Sequence, residues 1–189
     1  MQILDRNFHP KIVNSLKDSE KRGRPDVVHF AILDVTSTPV FEIGLIELLV
    51  RTRQGICIKV NEGTRPPRTL QRFCGVTAKL LTGSSGKKET DLFTVKRERS
   101  FAKVLDDFKI EKVISLSSQG SIGLIRDLAI EEARRDQKTA WVVGGFPFGH
   151  FSDEVIEKSD MVVSISNKTL PAHVVTARLC YELEQALMI

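Results

Sequence analysis

Long hydrophobic runs are missing from this sequence, and so are the residue clusters that build metal sites. The longest apolar stretches, such as LIELLV at 45–50, fall far short of the ~20 residues a membrane-spanning helix needs. Only three cysteines occur, Cys57, Cys74 and Cys180, an odd number with no metal-ligand spacing. The four histidines, His9, His29, His150 and His173, are equally scattered. These absences argue for a reducing compartment, the cytoplasm, and against a metal site or a membrane protein. The opening MQILDRNFHP lacks the basic start and apolar run of a secretory signal. No Walker A loop is present, which removes one common way of holding a triphosphate.

What remains is a chain of 189 residues, about one domain by size, with 41% hydrophobic and 28% charged residues. Its net charge of +4 is unevenly spread. Residues 51–110 hold 14 Lys and Arg against 6 Asp and Glu, while the remainder is slightly acidic. A local basic surplus fits a polyanionic partner, and it also fits an ordinary solvated surface.

The apolar pattern predicts a helix over 9–23, stopped by Gly23. It predicts a buried central strand over VVHFAILDV (27–35). A hairpin follows, from LIELLVRT (45–52) and ICIKV (56–60) around RQG. The 68–81 segment places Leu70, Phe73, Val76, Thr77 and Leu80 on one helical face, and a mobile loop is expected at 84–88. Helices and strands then alternate: helix 100–108, strand 112–117, helix 122–136, strand 139–145, helix 152–159, strand 160–166 and helix 171–188. The fold class this implies is α/β, a mostly parallel sheet with helices on both faces.

Ligands of such sheets sit beyond the carboxyl ends of the strands. Three turns lie there: LSSQGS (116–121), GGFPFGHF (144–151) and SISNKTLP (164–171). GGFPFG is no dinucleotide fingerprint, because Pro147 interrupts it and the spacing is wrong. The glycines could simply shape a turn. All three turns are poor in charge, which suits a neutral or cationic ligand with apolar parts, such as an adenosyl group bearing a sulfonium.

These turns, in this order and leading through ISNKTLPAHVV into the last helix, resemble the SPOUT (α/β-knot) methyltransferases. RGRPDVVH (22–29) and TRPPRTLQRF (64–73) resemble one family among them, the small-subunit ribosomal RNA pseudouridine N1-methyltransferases. The likeness runs from ILDRNFHPKI to the end, although the family usually has a strand and a helix before this chain begins. It implies one SPOUT domain over 1–189, with a basic RNA-binding insertion at about 40–100 that holds the β-hairpin and a basic helix. Residues 110–189 would form the cofactor-binding part, closed by a C-terminal trefoil knot, a rare exception to unknotted topology. The expected cofactor is S-adenosylmethionine, held by Leu116, Gly144, Gly149 and the run Ile165, Ser166, Asn167, Lys168, Thr169 and Leu170. No metal is expected.

Arg65, Arg68 and Arg72 are spaced i, i+3, i+7, so a helix starting near Pro66–Pro67 would align them, a row suited to a phosphate backbone. Pro25 should hold Arg24 extended, letting Asp26 share its face and brace its guanidinium. In the family's pattern the arginine meets RNA and the aspartate orients it. Arg24, Arg65, Arg68 and Arg72 are therefore the RNA-binding candidates, with Arg24 and Asp26 at the catalytic centre.

The implied reaction is transfer of the sulfonium methyl to N1 of a pseudouridine extruded from an rRNA hairpin loop, in the service of small-subunit biogenesis. The resemblance also implies a homodimer, with ribosomal or assembly proteins as further partners and no membrane. The closing helix agrees with a dimer, because its apolar residues cover more than one face. Two rival readings stay open: a SPOUT methyltransferase for another RNA such as tRNA, and an rRNA-binding assembly factor without catalysis.

Overall fold

The computed structural model describes residues 2–83, 86, 91–97 and 100–189. Two three-stranded sheets organise it, one antiparallel and one parallel. The parallel sheet expected from the sequence is present with three strands, and beside it strands from residues 48–96 form a separate antiparallel sheet.

Residues 27–35 depart from the expected strand. They form not a strand but the middle of helix α2, Pro25–Thr36. His29, Ile32, Val35 and Thr36 are its buried residues, a helical spacing of three or four. Pro25 occupies the first turn, where its missing N–H costs nothing. The helix expected over 9–23 is also shorter. Helix α1 covers Pro10–Ser15 and ends at extended Leu16, and a single 3-10 turn follows at Ser19–Lys21. Gly23 does stop this region, at φ +76°, where a Cβ would lie 2.9 Å from Val13 Cγ2 and 3.0 Å from the Arg6 amide nitrogen.

A short helix α3 (Pro39–Glu42) leads to the antiparallel sheet. Strands β1 (Leu48–Arg51) and β2 (Cys57–Val60) pair antiparallel, and β3 (Phe93–Lys96) adds to β2. Helix α4 runs Leu70–Thr82, from Thr69 at its N-cap to Gly83 at φ 73°. It packs Phe73 and Leu80 with Ile58, Val60 and Phe93 of the sheet, and with Ile32 and Val35 of α2. Apart from Gly86, the loop expected at 84–88 lies outside the described residues.

Helix α5 (Phe101–Asp107) is capped by Ser100, whose Oγ accepts the Lys103 amide at 3.1 Å. The parallel sheet has order β5-β4-β6, with β4 (Lys112–Ile122) central between β5 (Thr139–Val143) and β6 (Met161–Ser164). Helices α6 (Ile125–Ala133), α7 (Asp153–Glu157) and α8 (Ala172–Leu187) complete the chain. Strand β4 is longer than expected and absorbs the predicted turn at 116–121. Its pairing with β6 breaks after Leu116 and resumes at Ser121, so the intervening residues bulge out.

Both faces of the parallel sheet are covered. Ile114, Leu116 and Val163 pack with Ala129 of α6 and with Leu179 and Leu183 of α8. On the other face, Val113 meets Phe101 of α5 and Val155 of α7. Helix α8 also buries Cys180 in the core of the antiparallel half, and burial raises that thiol's pKa to about 11. One helix therefore seals two cores, and each buried leucine adds about 1.5–3 kcal/mol of transfer free energy.

Candidate functional site

Leu116 pairs with Val143 on one side and with Val163 on the other. The three carboxyl ends thus lie side by side, and Gly144 and Ile165 begin the segments that leave them. The chain departs from β4 toward β5 on one side and later returns as β6 on the other. This is the switch point at which open α/β sheets bind ligands. Leu116 is buried there, Gly144, Ile165, Ser166 and Leu170 are half-buried, and Gly149, Asn167, Lys168 and Thr169 are exposed.

The glycine turn is made of backbone with little room for side chains. A Cβ on Gly144 would lie 2.8 Å from the Phe146 ring, and Gly149 sits at φ +90°. Such a turn presents peptide edges, which suit the polar rim of an adenine and ribose, and its charge-poor walls tolerate a sulfonium. The residues present fit an adenosyl cofactor. In the third turn, Ser164 Oγ donates to the Ser166 carbonyl at 2.8 Å and Ser166 Oγ accepts the Lys168 amide at 3.1 Å, which shapes that wall.

The arginine motif adjoins this edge. Arg24 donates from Nε to Asp26 Oδ1 at 2.8 Å and from Nη2 to Oδ2 at 2.7 Å. Hydrogen bonding to Arg24 holds the Asp26 carboxyl below its usual pKa, and Asp26 in turn raises that of Arg24. The pair forms as expected but on a different backbone: Arg24 is the N-cap of α2 and Asp26 lies in its first turn. One helical turn on, Val28 meets the glycine turn, since a Cβ on Gly145 would lie 3.1 Å from Val28 Cγ2.

Arg65, Arg68 and Arg72 are all exposed, but only Arg72 lies in a helix. Helix α4 starts at Leu70, so the aligned helical row expected from Pro66–Pro67 onward does not form. The segment is tied down instead by His29, whose Nε2–H donates to the Pro67 carbonyl at 2.7 Å. The His29 ring stacks on Phe73 at 4.7 Å between centroids. These contacts hold the second arginine motif against α2, the helix that carries the first. Cys74 lies close enough to feel the Asp26 charge; burial first, then Asp5 and Asp26, raise its pKa.

Sequence reasoning overlooked Lys21. Its Nζ donates to the His150 carbonyl at 2.7 Å and lies 5.7 Å from the centre of the Phe146 ring. The partner is 129 residues away, so nothing local signals the contact. His29 was likewise visible only as an isolated histidine.

This arrangement defines an α/β protein with a glycine-rich turn at the carboxyl edge of its parallel sheet and exposed arginines on the neighbouring segments. The model of the EMG1/NEP1 methyltransferase family matches residues 1–184, and the chain belongs to that family. It is 28% identical over 182 residues to the ribosomal RNA small subunit methyltransferase Nep1 of Methanothrix thermoacetophila, covering 96% of this chain and 79% of that one. The Nep1 of Staphylothermus marinus is 31% identical over 179 residues, covering 94% and 76%. Among solved structures, the crystal structure of Archaeoglobus fulgidus Nep1 bound to S-adenosylhomocysteine superposes with a TM-score of 0.81 at 28% identity. That match covers 98% of this chain and 82% of the other.

Proposed function

We propose that the protein binds S-adenosylmethionine at the carboxyl edge of the parallel sheet and methylates N1 of a pseudouridine in small-subunit ribosomal RNA. The observation that carries this reading is the placement of the Arg24–Asp26 fork one helical turn from the contact between Val28 and the glycine turn. RNA held by Arg24 reaches the mouth of the cofactor pocket, where acceptor and donor must meet. The names of the relatives and the S-adenosylhomocysteine bound by the Archaeoglobus protein agree with it.

The cofactor supplies an electrophilic methyl on a sulfonium that leaves as a neutral thioether. The chain's own contribution is positioning, the largest effect such a site offers. Leu116, Gly144, Gly149 and the 165–170 segment close around the adenosyl group with backbone and apolar surface. Arg65, Arg68 and Arg72 hold phosphates along the loop-bearing RNA. Arg24, fixed by Asp26, faces the extruded base and stabilises the negative charge that grows on it as the N1 proton departs. Uridine offers no such nitrogen, because its N1 is bonded to the sugar.

A trefoil knot, formed by passing α8 through the preceding turns, belongs to the same proposal, as do a homodimer and a cytoplasmic setting. Among the described residues no helix is long and apolar enough to cross a membrane. Tyr181, 57% exposed on α8, supports a partner surface on that helix. Light scattering should give twice the chain mass of 21.2 kDa.

The deciding experiment uses radiolabelled S-adenosylmethionine and two hairpins that differ only in uridine or pseudouridine at one loop position. Label on the pseudouridine hairpin alone is the expected result. Label on both would move the target elsewhere on the RNA, and tight binding without label would turn the protein into an assembly factor.

A further inference from the structure

We propose that Lys21 is a positioning residue that holds the glycine turn in its cofactor-binding shape. The inference rests on the cofactor reading above and extends it to a residue outside the pocket's walls.

Lys21 grips the turn at both ends. Its ammonium donates to the His150 carbonyl at 2.7 Å, at the point where the turn runs out. The same group stands 5.7 Å from the centre of the Phe146 ring, near the start. Phe146 in turn fills the space over Gly144 and meets Phe151 edge-on at 5.8 Å. Between the two ends runs the lysine stem: a Cβ on Gly149 would lie 2.7 Å from Lys21 Cε. Position 149 favours glycine because of its φ of +90°, and the lysine stem passes close over it. A glycine-rich turn has much conformational freedom to lose on binding a ligand, and restraining it beforehand strengthens binding. Lys21 supplies that restraint from the stretch that also carries Arg24, so the RNA-facing motif and the cofactor turn form one piece.

The test is calorimetric titration of the full chain with S-adenosylhomocysteine and, separately, with methylthioadenosine, which lacks the amino-acid tail. Lys21→Met keeps the apolar stem and removes the ammonium. Both ligands should bind about fivefold more weakly, the size expected for one lost charge-assisted hydrogen bond acting at a distance. Lys21→Arg retains a cationic donor and should bind both within about twofold of wild type. The melting temperature of each variant, measured in parallel, separates a loosened turn from a failed fold.

Unchanged affinity of Lys21→Met for both ligands would overturn the proposal. A loss confined to S-adenosylhomocysteine would overturn it too, because it would mean that Lys21 touches the tail carboxylate directly. If the wild-type chain binds neither ligand, the cofactor reading itself fails, and this inference with it.

Discussion

Arg24 and Asp26 form a two-bond fork, with Nε and Nη2 of the guanidinium each on a separate carboxylate oxygen at 2.8 and 2.7 Å. The Arg24 side chain keeps 42% of its surface in water, so the pair orients more than it stabilises. Exposed pairs of this kind contribute about 0.2–1 kcal/mol. Asp26→Ala should therefore leave the melting temperature within a few degrees of wild type, while kcat/KM for a pseudouridine hairpin falls by about tenfold or more, since a loosely aimed arginine positions poorly. Arg24→Ala should cost at least as much. Thermal melts and single-turnover methylation on the same preparations check both effects. Full methylation by Arg24→Ala would remove it from the site.

The exposed arginines of the second motif should act additively and through charge. Each of Arg65→Ala, Arg68→Ala and Arg72→Ala should lower the slope of log affinity against log salt by about 0.7–0.9. Fluorescence anisotropy across a salt series measures this. An unchanged slope for all three would make them an ordinary solvated face.

Two glycine substitutions should move stability in opposite directions. A Cβ on Gly120 would come closer than 3.0 Å to the Val162 carbonyl carbon and oxygen, which are backbone and cannot yield. Gly120→Ala should cost about 1–3 kcal/mol or more in urea unfolding. Gly75 lies inside α4 with nothing within 4 Å of a new Cβ. Gly75→Ala should add about 0.5–1 kcal/mol.

Glu132 sets an acid limit on stability. Its side chain is 3% exposed and holds Lys112 at 2.5 Å, along with Thr139 Oγ1 at 2.7 Å and Gln137 Nε2 at 3.0 Å. Burial alone would raise its pKa, but these donors outweigh burial and hold it low. A carboxyl lowered in the folded state stabilises fully above its unfolded pKa of about 4.3, and that stability drains away as pH falls through the folded value. Unfolding free energy followed from pH 7 downward should fall less steeply in Glu132→Gln than in wild type. At pH 7, Glu132→Ala should cost about 3–5 kcal/mol, because it strands the mostly buried Lys112.

The alternation of helix and strand after residue 100 was legible because its segments are amphipathic and bounded by turn residues. The arginine fork was legible too, since Arg24 and Asp26 are two positions apart and of opposite charge. Residues 27–35 were misread for a definite reason: a short β-branched apolar run fits a buried strand and a buried helix equally well. Pro25 carried the missing signal, because proline in a first turn marks a helix start. The row of Arg65, Arg68 and Arg72 failed in a similar way, because the N-cap is Thr69 and the prolines before it stay outside the helix. Lys21 and His29 could not be found at all from spacing, because their partners lie 129 and 38 residues away.

Helix α8 closes both hydrophobic cores, with Cys180 on one side and Leu179 and Leu183 on the other. The antiparallel half is therefore no detachable cassette. Transplanted into another scaffold, it would arrive with one wall missing and an oily surface in its place. Under the proposed reading, change in RNA specificity would come residue by residue on the arginine face, because the whole unit cannot be exchanged without rebuilding the helix beneath it.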